Sequence, residues 1–471
     1  MKVVKLCAAG LLLAMSATPV FAQDAAPGAV QHQLREVYRE LVEINTTDSA
    51  GSCTEAAQAM GARLRSAGLP ATEVQVLVPP GGPKKGNLVA RLRGSGAQKP
   101  LLLLAHIDVV EAKREDWKRD PFKLIEEDGY FYARGAADDK AMAAAFVANL
   151  MRFRSENYRA ERDIILALTC DEEIIPSPYN GVEFLLRNHR TLLEADLALN
   201  EGGGGQLDKS GRPVRLSIQA GEKVFQSFRL EVTNPGGHSA QPRPDNALYD
   251  LARGLARLGD FEFPAKLLPV TRASFARMAT ILSGTVAADL KAASAEPPDS
   301  AAIARLSRSP SYNAQLRTTC VATMAEAGHA TNALPQRAQA VVNCRVLPGD
   351  SVEEVKSTLQ RVLGNDRIAV TPMGEAVLSP PAPLDARILG PVESIAAAMW
   401  PGVPLVPTMS AGATDSRFLN NAGIPTYGIS GMFSEPETSG VHGLNERLPV
   451  RSLYEGQDFL YRLVKALAGG R

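Results

Sequence analysis

Between residues 100 and 205, apolar runs repeatedly end in histidine or carboxylate. "PLLLLAHIDVV" carries His106 and Asp108 just beyond Leu101–Ala105, "RDIILALTCDEE" ends in Asp171, Glu172 and Glu173, and "EADLALNEGG" reaches Glu201. Between the first two lies "RGAADDKA", where Asp138 precedes a stretch rich in Ala, Leu and Met that reads as a helix. Short continuous apolar runs of this kind form strands covered on both faces. Successive clusters lie about one strand–helix unit apart, so parallel strands gather all of them at the carboxyl edge of one sheet, where open α/β folds place their sites. The predicted fold is an α/β domain with a mainly parallel sheet flanked by helices.

Three adjacent carboxylates at the end of a buried strand repel one another and require compensation. Imidazole with several carboxylates and no thiolate suits catalytic zinc, or its neighbours cobalt and manganese, better than a structural zinc site. Asp138 is placed to bridge two ions about 3.5–4 Å apart. Asp108, two residues from His106, is placed to orient the imidazole. A carboxylate beside the ions but not bound to them can serve as general base.

After "EGGGGQLDKSG" the texture changes. "RLSIQAGEKVFQSFRLEVTN" alternates with period 2 and predicts antiparallel strands, followed by a helix at "NALYDLARGLARL" and a helical, Pro/Ala-rich insert at about 263–309. "TTCVATM" and "QAVVNCRVL" read as two further strands, and alternating α/β texture resumes after "PGDSVEEV". The predicted plan is a catalytic domain in two parts, residues 30–213 and 348–471, interrupted by an α+β module at 214–347. The run Gly202–Gly205 lacks the Lys-Ser/Thr of a phosphate loop and reads as close backbone approach. Asp139 and Lys140 read as a solvated or locally paired helix start rather than as catalysts, and His32, His189 and His329 carry no assigned role.

Residues 1–22 combine Lys2 and Lys5, an apolar stretch and "VFA", the pattern of a secretory signal cleaved after Ala22. That predicts an exported protein, periplasmic in a Gram-negative host, without a stable membrane anchor. An oxidising compartment permits disulfides, and a cross-strand Cys320–Cys344 bond or two buried thiols are both open. Lysine plus arginine and aspartate plus glutamate number 51 each, so no global field favours nucleic acid. A small substrate is expected.

"HIDVV", "EDWKRDPF", "RGAADDKA", "TCDEE", "DLALNEGG", "NPGGHSAQP", "NALPQ", "NCRVLPG", "GATDSR" and "GVHGLNER" occur in this order. Together they resemble the di-zinc exopeptidase family of aminoacylases, carnosinase-type dipeptidases, glutamate carboxypeptidases and Gly-X carboxypeptidases, from roughly Leu34 to Leu463. The resemblance implies that His106 and Glu201 hold one zinc, Glu173 and His442 the other, and that Asp138 bridges them. It implies Glu172 as general base, Asp108 as the orienter of His106 and His238 as the group that polarises the scissile carbonyl. Asn332, Arg345 and Arg417 match positions that hold the substrate. The inserted module becomes a lid or dimerisation domain, through which His238 reaches a partner's site unless the 263–309 insert completes the site within one chain. The implied substrate is a small peptide or an N-acyl amino acid; the alternatives are an N-fatty-acyl amino acid synthase/hydrolase and a non-catalytic binding protein on the same fold.

The chain departs from the family pattern at Ala133 and Ala141, where glycine is usual, and at "IIPSPYNG" after the acidic triplet, where a glycine pair is common. These bear on loop shape and substrate choice. Glutamate rather than aspartate at position 201 resembles aminoacylases and carboxypeptidases more than carnosinase-type dipeptidases.

Overall fold

The computed structural model describes residues 27–435 and 438–470; the expected signal segment 1–22 lies outside them. At its centre the strand Gln98–His106 runs parallel to Arg162–Thr169 on one side and to Leu197–Asn200 on the other. Thr426–Gly428 continues the parallel order beyond Leu197–Asn200. Asn87–Leu92 and Val74–Leu77 close one edge antiparallel, and on the far side Pro213–Glu222 meets Leu405–Ser410 in parallel. The ten-stranded sheet is therefore mixed, with a mainly parallel centre.

The apolar runs are continuous because both faces of this centre are covered. Leu101, Leu103 and Ala105 enter one core with helices Pro27–Glu43, Lys140–Ser155 and Val450–Ala468. Leu102 and Leu104 point the other way, to helices Gly181–Asn188 and Ser416–Asn421. Register sets His106 beside Thr169 and Leu103 beside Leu199, so the strands end level with one another. That levelness brings the acidic clusters together.

A second, antiparallel sheet has the order Thr319–Ala327, Arg337–Val346, Val224–Thr233, Ala369–Met373. Helices Ala247–Gly259 and Val352–Leu363 bury their apolar faces against it, the latter started by a capping box of Ser351 and Glu354. Sheet membership moves the expected boundaries of the inserted module. Pro213–Glu222 belongs to the large sheet, and residues 352–373 belong to the small one, so the module spans about Val224–Met373 rather than 214–347. The period-2 pattern runs through Glu222–Lys223 from one sheet into the next, which concealed the junction. The 263–309 insert folds as short helices around their own cluster, yet Val270 enters the core of the large domain and Arg277 pairs with Glu393 at 2.9 Å. Cys320 faces Cys344 across the strand pair and is disulfide-bonded to it.

Candidate active site

The level strand ends place two groups of metal-ligand type around one shared side chain: His106, Asp138 and Glu201, and Asp138, Glu173 and His442. Within each group the ligand atoms lie within 4.8 Å of one another. His106 Nε2 is 3.1 Å from Asp138 Oδ1 and 3.8 Å from Glu201; His442 Nε2 is 3.1 Å from Asp138 Oδ2 and 3.0 Å from Glu173. Asp138 thus turns one oxygen to each histidine, as a bridging carboxylate does. His106 is buried while His442 is exposed, so one side of the centre opens to solvent.

The electrostatics show too much negative charge for the side chains that surround it. Burial, reinforced by Glu201, pushes Glu172 well above the usual carboxylate range, and burial does the same to Glu201. Burial also opposes ionisation of Asp138, but hydrogen bonds from His106 and His442 outweigh it and hold that carboxylate below its usual range. His442 is pushed up to about 10 by Asp138 and Glu173. Asp139 Oδ2 is buried without a hydrogen-bond partner. A site of histidine and carboxylate donors that lacks enough cations of its own fits divalent metal.

The acidic triplet divides its work. Asp171 is compensated by Lys85, 2.7 Å away, and accepts a hydrogen bond from Ser177 at 2.6 Å, so metal need answer only for its two neighbours. Asp108 takes the backbone N–H of Glu172 at 3.2 Å on one oxygen and that of Glu173 at 3.0 Å on the other. Its own carbonyl lies 3.1 Å from His106 Nδ1, against 3.6 Å for its carboxylate. Asp108 therefore orients the imidazole mainly through its backbone and uses its carboxylate to hold the glutamate loop. Glu172 is buried, within electrostatic reach of His106 and Glu201, and belongs to neither ligand group.

The remaining expected residues lie apart from these groups. His238 sits on an exposed two-residue strand paired with Ala333–Leu334, and its Nδ1 accepts the N–H of Ala240 at 3.0 Å, which leaves Nε2 as the donor. Asn332 is beside it, its carbonyl accepting the N–H of Ser239. Arg345 stacks over Phe225 at 4.8 Å, and burial and Arg417 depress its pKa. Arg417 is buried and donates to the Thr414 carbonyl at 3.1 Å. Among the described residues neither arginine forms an ion pair, and the charge of Arg417 counters the burial that raises the pKa values of Glu222 and Asp415.

Several supporting residues were not foreseen. Glu446, buried, pairs with Arg134 at 2.8 Å and accepts the backbone N–H groups of Gly135, Ala137 and Asp138 at 3.0, 2.8 and 3.0 Å. It builds the loop that presents the shared aspartate. Its place in "GVHGLNER", four residues after His442, was the available signal. Asp139 and Lys140 are buried rather than solvated; Lys140 Nζ finds the carbonyl of Ile44 at 2.7 Å, and burial lowers its pKa to about 7. The helix they open is buried continuously from Lys140 to Leu150, so its start is covered with it. The glycine run does reflect close approach: a Cβ on Gly203 would lie 2.0 Å from the Gly428 carbonyl.

Cys53 and Cys170, across a sequence separation of 117, are also disulfide-bonded. The bond ties the start of helix Cys53–Ser66 to the residue just before the acidic triplet. Replacing both cysteines with serine is expected to cost about 2–5 kcal/mol of stability, because the unfolded chain regains a long loop. Urea denaturation of the double variant against wild type checks this.

Fold and site define a metal-dependent hydrolase of the peptidase or amidohydrolase class. The model of Peptidase family M20/M25/M40 matches residues 102–466, and the chain belongs to that family. It is 28% identical to the human N-fatty-acyl-amino acid synthase/hydrolase PM20D1, over 78% of this chain and 74% of that protein. It is 29% identical to a Dictyostelium discoideum protein named "Probable carboxypeptidase S-like 2", over 78% and 71% of the two chains. Among solved structures, the M20 family metallo-carboxypeptidase Sso-CP2 from Sulfolobus solfataricus superposes with a TM-score of 0.65 at 20% identity, covering 93% of this chain and 99% of that one.

Proposed function

We propose that this protein is an exported two-metal hydrolase that cleaves an amide bond next to a free carboxylate, in a small peptide or an N-acyl amino acid. The observation that carries the reading is the pair of ligand groups meeting on Asp138, with Glu172 buried within electrostatic reach of His106 and Glu201 and in neither group. The relatives' names support the substrate class, one a hydrolase of N-fatty-acyl amino acids and another carboxypeptidase-like.

His106, Asp138 and Glu201 would hold one zinc ion and Asp138, Glu173 and His442 the second, with cobalt or manganese as substitutes. Bound there, such a pair polarises the carbonyl and lowers the pKa of water to about 7. Glu172 takes the proton of the attacking water and delivers it to the departing amine. His238, protonated at Nε2, donates to the carbonyl oxygen as charge develops on it. Asn332, Arg345 and Arg417 hold the substrate, the arginines gripping its carboxylate.

Two disulfides suit the oxidising compartment that the leader implies. The exposure of His238 and the uncovered strand Thr319–Ala327, with Val321 and Met324 exposed, support a homodimer formed through the inserted module. The test is hydrolysis by the metal-loaded mature protein across dipeptides, longer peptides and N-acyl amino acids. Turnover confined to amides beside a free carboxylate, lost on amidation of that carboxylate, is the expected result. Equal turnover of the amidated substrates would refute the proposal. The acyl-length series within the panel separates a fatty-acyl hydrolase from a peptidase.

A further inference from the structure

The chain passes from one sheet to the other twice, and one buried carboxylate is bonded at both passages. On the way out, Glu222 ends the strand Pro213–Glu222 and Val224 begins the first strand of the module. On the way back, residues 374–381 leave the strand Ala369–Met373, and Ala382 rejoins the large sheet by donating its N–H to the Ala220 carbonyl at 2.9 Å. Glu222 Oε1 accepts a hydrogen bond from the Ser379 hydroxyl of that return segment at 3.0 Å. Its Oε2 accepts the Thr414 N–H at 2.8 Å and the Thr414 hydroxyl at 2.9 Å. Lys223, the next residue, instead sends its Nζ to the carbonyls of Ala314 and Arg317 and to the Thr319 hydroxyl.

Thr414 opens the segment that carries Arg417. Its carbonyl accepts the Arg417 backbone N–H at 3.2 Å and one Nη at 3.1 Å, and its hydroxyl accepts the Ser416 N–H at 3.1 Å. Glu222 therefore holds Arg417 at one remove, through Thr414. The charges agree with the contacts. Burial pushes Glu222 up to about 7, while the hydrogen bonds from Thr414, the charge of Arg417 and the hydrogen bond from Ser379 work against that rise. Among the described residues Glu222 forms no ion pair. An amide could satisfy the same hydroxyls by turning them and would cost less to bury, so packing alone does not account for a carboxylate here. Arg345 lies on the module strand Arg337–Val346 and Arg417 on helix Ser416–Asn421, which packs on the large sheet. Burial and then the charge of Arg417 depress the pKa of Arg345, so the two arginines feel each other across the junction that Glu222 ties.

We propose that Glu222 is a positioning residue for substrate binding: by fixing Thr414 against both passages of the chain, it holds Arg417 where that guanidinium and Arg345 grip one carboxylate. This rests on the reading of both arginines as substrate-carboxylate groups. Glu222 belongs to neither ligand group, so its loss is felt in binding rather than in the chemical step.

The experiment is a double-mutant cycle on the metal-loaded enzyme, with N-acetyl- and N-decanoyl-leucine as probes: wild type, Glu222→Gln, Arg417→Gln and the double variant. Glu222→Gln is expected to raise KM roughly tenfold, with kcat within about threefold of wild type and zinc content unchanged. In the Arg417→Gln background the same exchange should change KM by less than about twofold, because the arm it positions is gone. A KM effect of equal size with and without Arg417, or a loss confined to kcat or to zinc content, would overturn the proposal. Calorimetric titration of the four proteins with the same probes reads the coupling without turnover. Coupled loss of affinity, with no hydrolysis by wild type, would break the amide-hydrolase reading and keep Glu222 as the positioning residue. Wild type that binds neither probe, or Arg417→Gln that binds them as wild type does, would break the carboxylate role of Arg417 and the proposal with it. If Glu222→Gln loses its folded circular dichroism spectrum, Glu222→Asp goes through the same cycle, since it keeps the charge but is one methylene short of reaching Thr414 and Ser379 together.

Discussion

Exchanging Glu172 for glutamine should lower kcat by roughly 10²- to 10⁴-fold, the usual worth of a positioned general base, and leave metal content unchanged. The two halves of that outcome have separate causes. Glu172 belongs to neither ligand group, so removing its charge takes no donor from an ion. The loop keeps its shape because Asp108 binds the backbone N–H of Glu172, which glutamine retains. The isosteric amide cannot accept the water proton or return it to the amine. Glu173→Gln should behave in the opposite order, because the neighbouring side chain belongs to the ligand group around His442: metal affinity falls first and activity follows it. Elemental analysis of both variants, with kcat measured at saturating zinc, separates the roles. Metal loss in Glu172→Gln that matches its loss of activity would mean that the two glutamates have been assigned in the wrong order.

Glu446→Ala should be the most destabilising single substitution around the site, by about 3–5 kcal/mol. It leaves the Arg134 guanidinium buried and uncompensated, and it strips acceptors from Gly135, Ala137 and Asp138 at once. The loop so released carries the aspartate common to both ligand groups, so both ions should bind more weakly. Glu446→Gln together with Arg134→Met removes the stranded charge and should recover part of the stability, without restoring full metal affinity. Urea denaturation combined with zinc titration reads both effects. A Glu446→Ala protein with unaltered metal binding would show that the loop is held by something else.

His106, Asp138, Glu172, Glu173 and Glu201 were legible because a strand–helix repeat converts spacing in sequence into proximity at one sheet edge. His442 was legible only through its motif, since it arrives from a loop far along the chain. What stayed hidden depends on pairings across the fold. Lys85 and Asp171 are 86 residues apart, and Arg134 and Glu446 are 312 apart. Nothing in the local pattern of either partner signals the other. Burial of Asp139 and Lys140 was missed for a related reason: polar letters at a helix start normally mean solvent, and here the helix is covered at its beginning. The boundary of the inserted module was hidden because the alternation belonging to two different sheets is continuous in sequence through Glu222 and Lys223.

Two ions sharing Asp138 are the centre of the proposed reaction. The most direct measurement is the return of hydrolysis when protein stripped by a chelator is titrated with zinc, using an N-acyl amino acid that the untreated protein turns over. No activity in the stripped protein and a plateau reached at two zinc ions per chain are the expected results. Full activity before any zinc is added, or a plateau at one ion per chain, would contradict the proposed reaction.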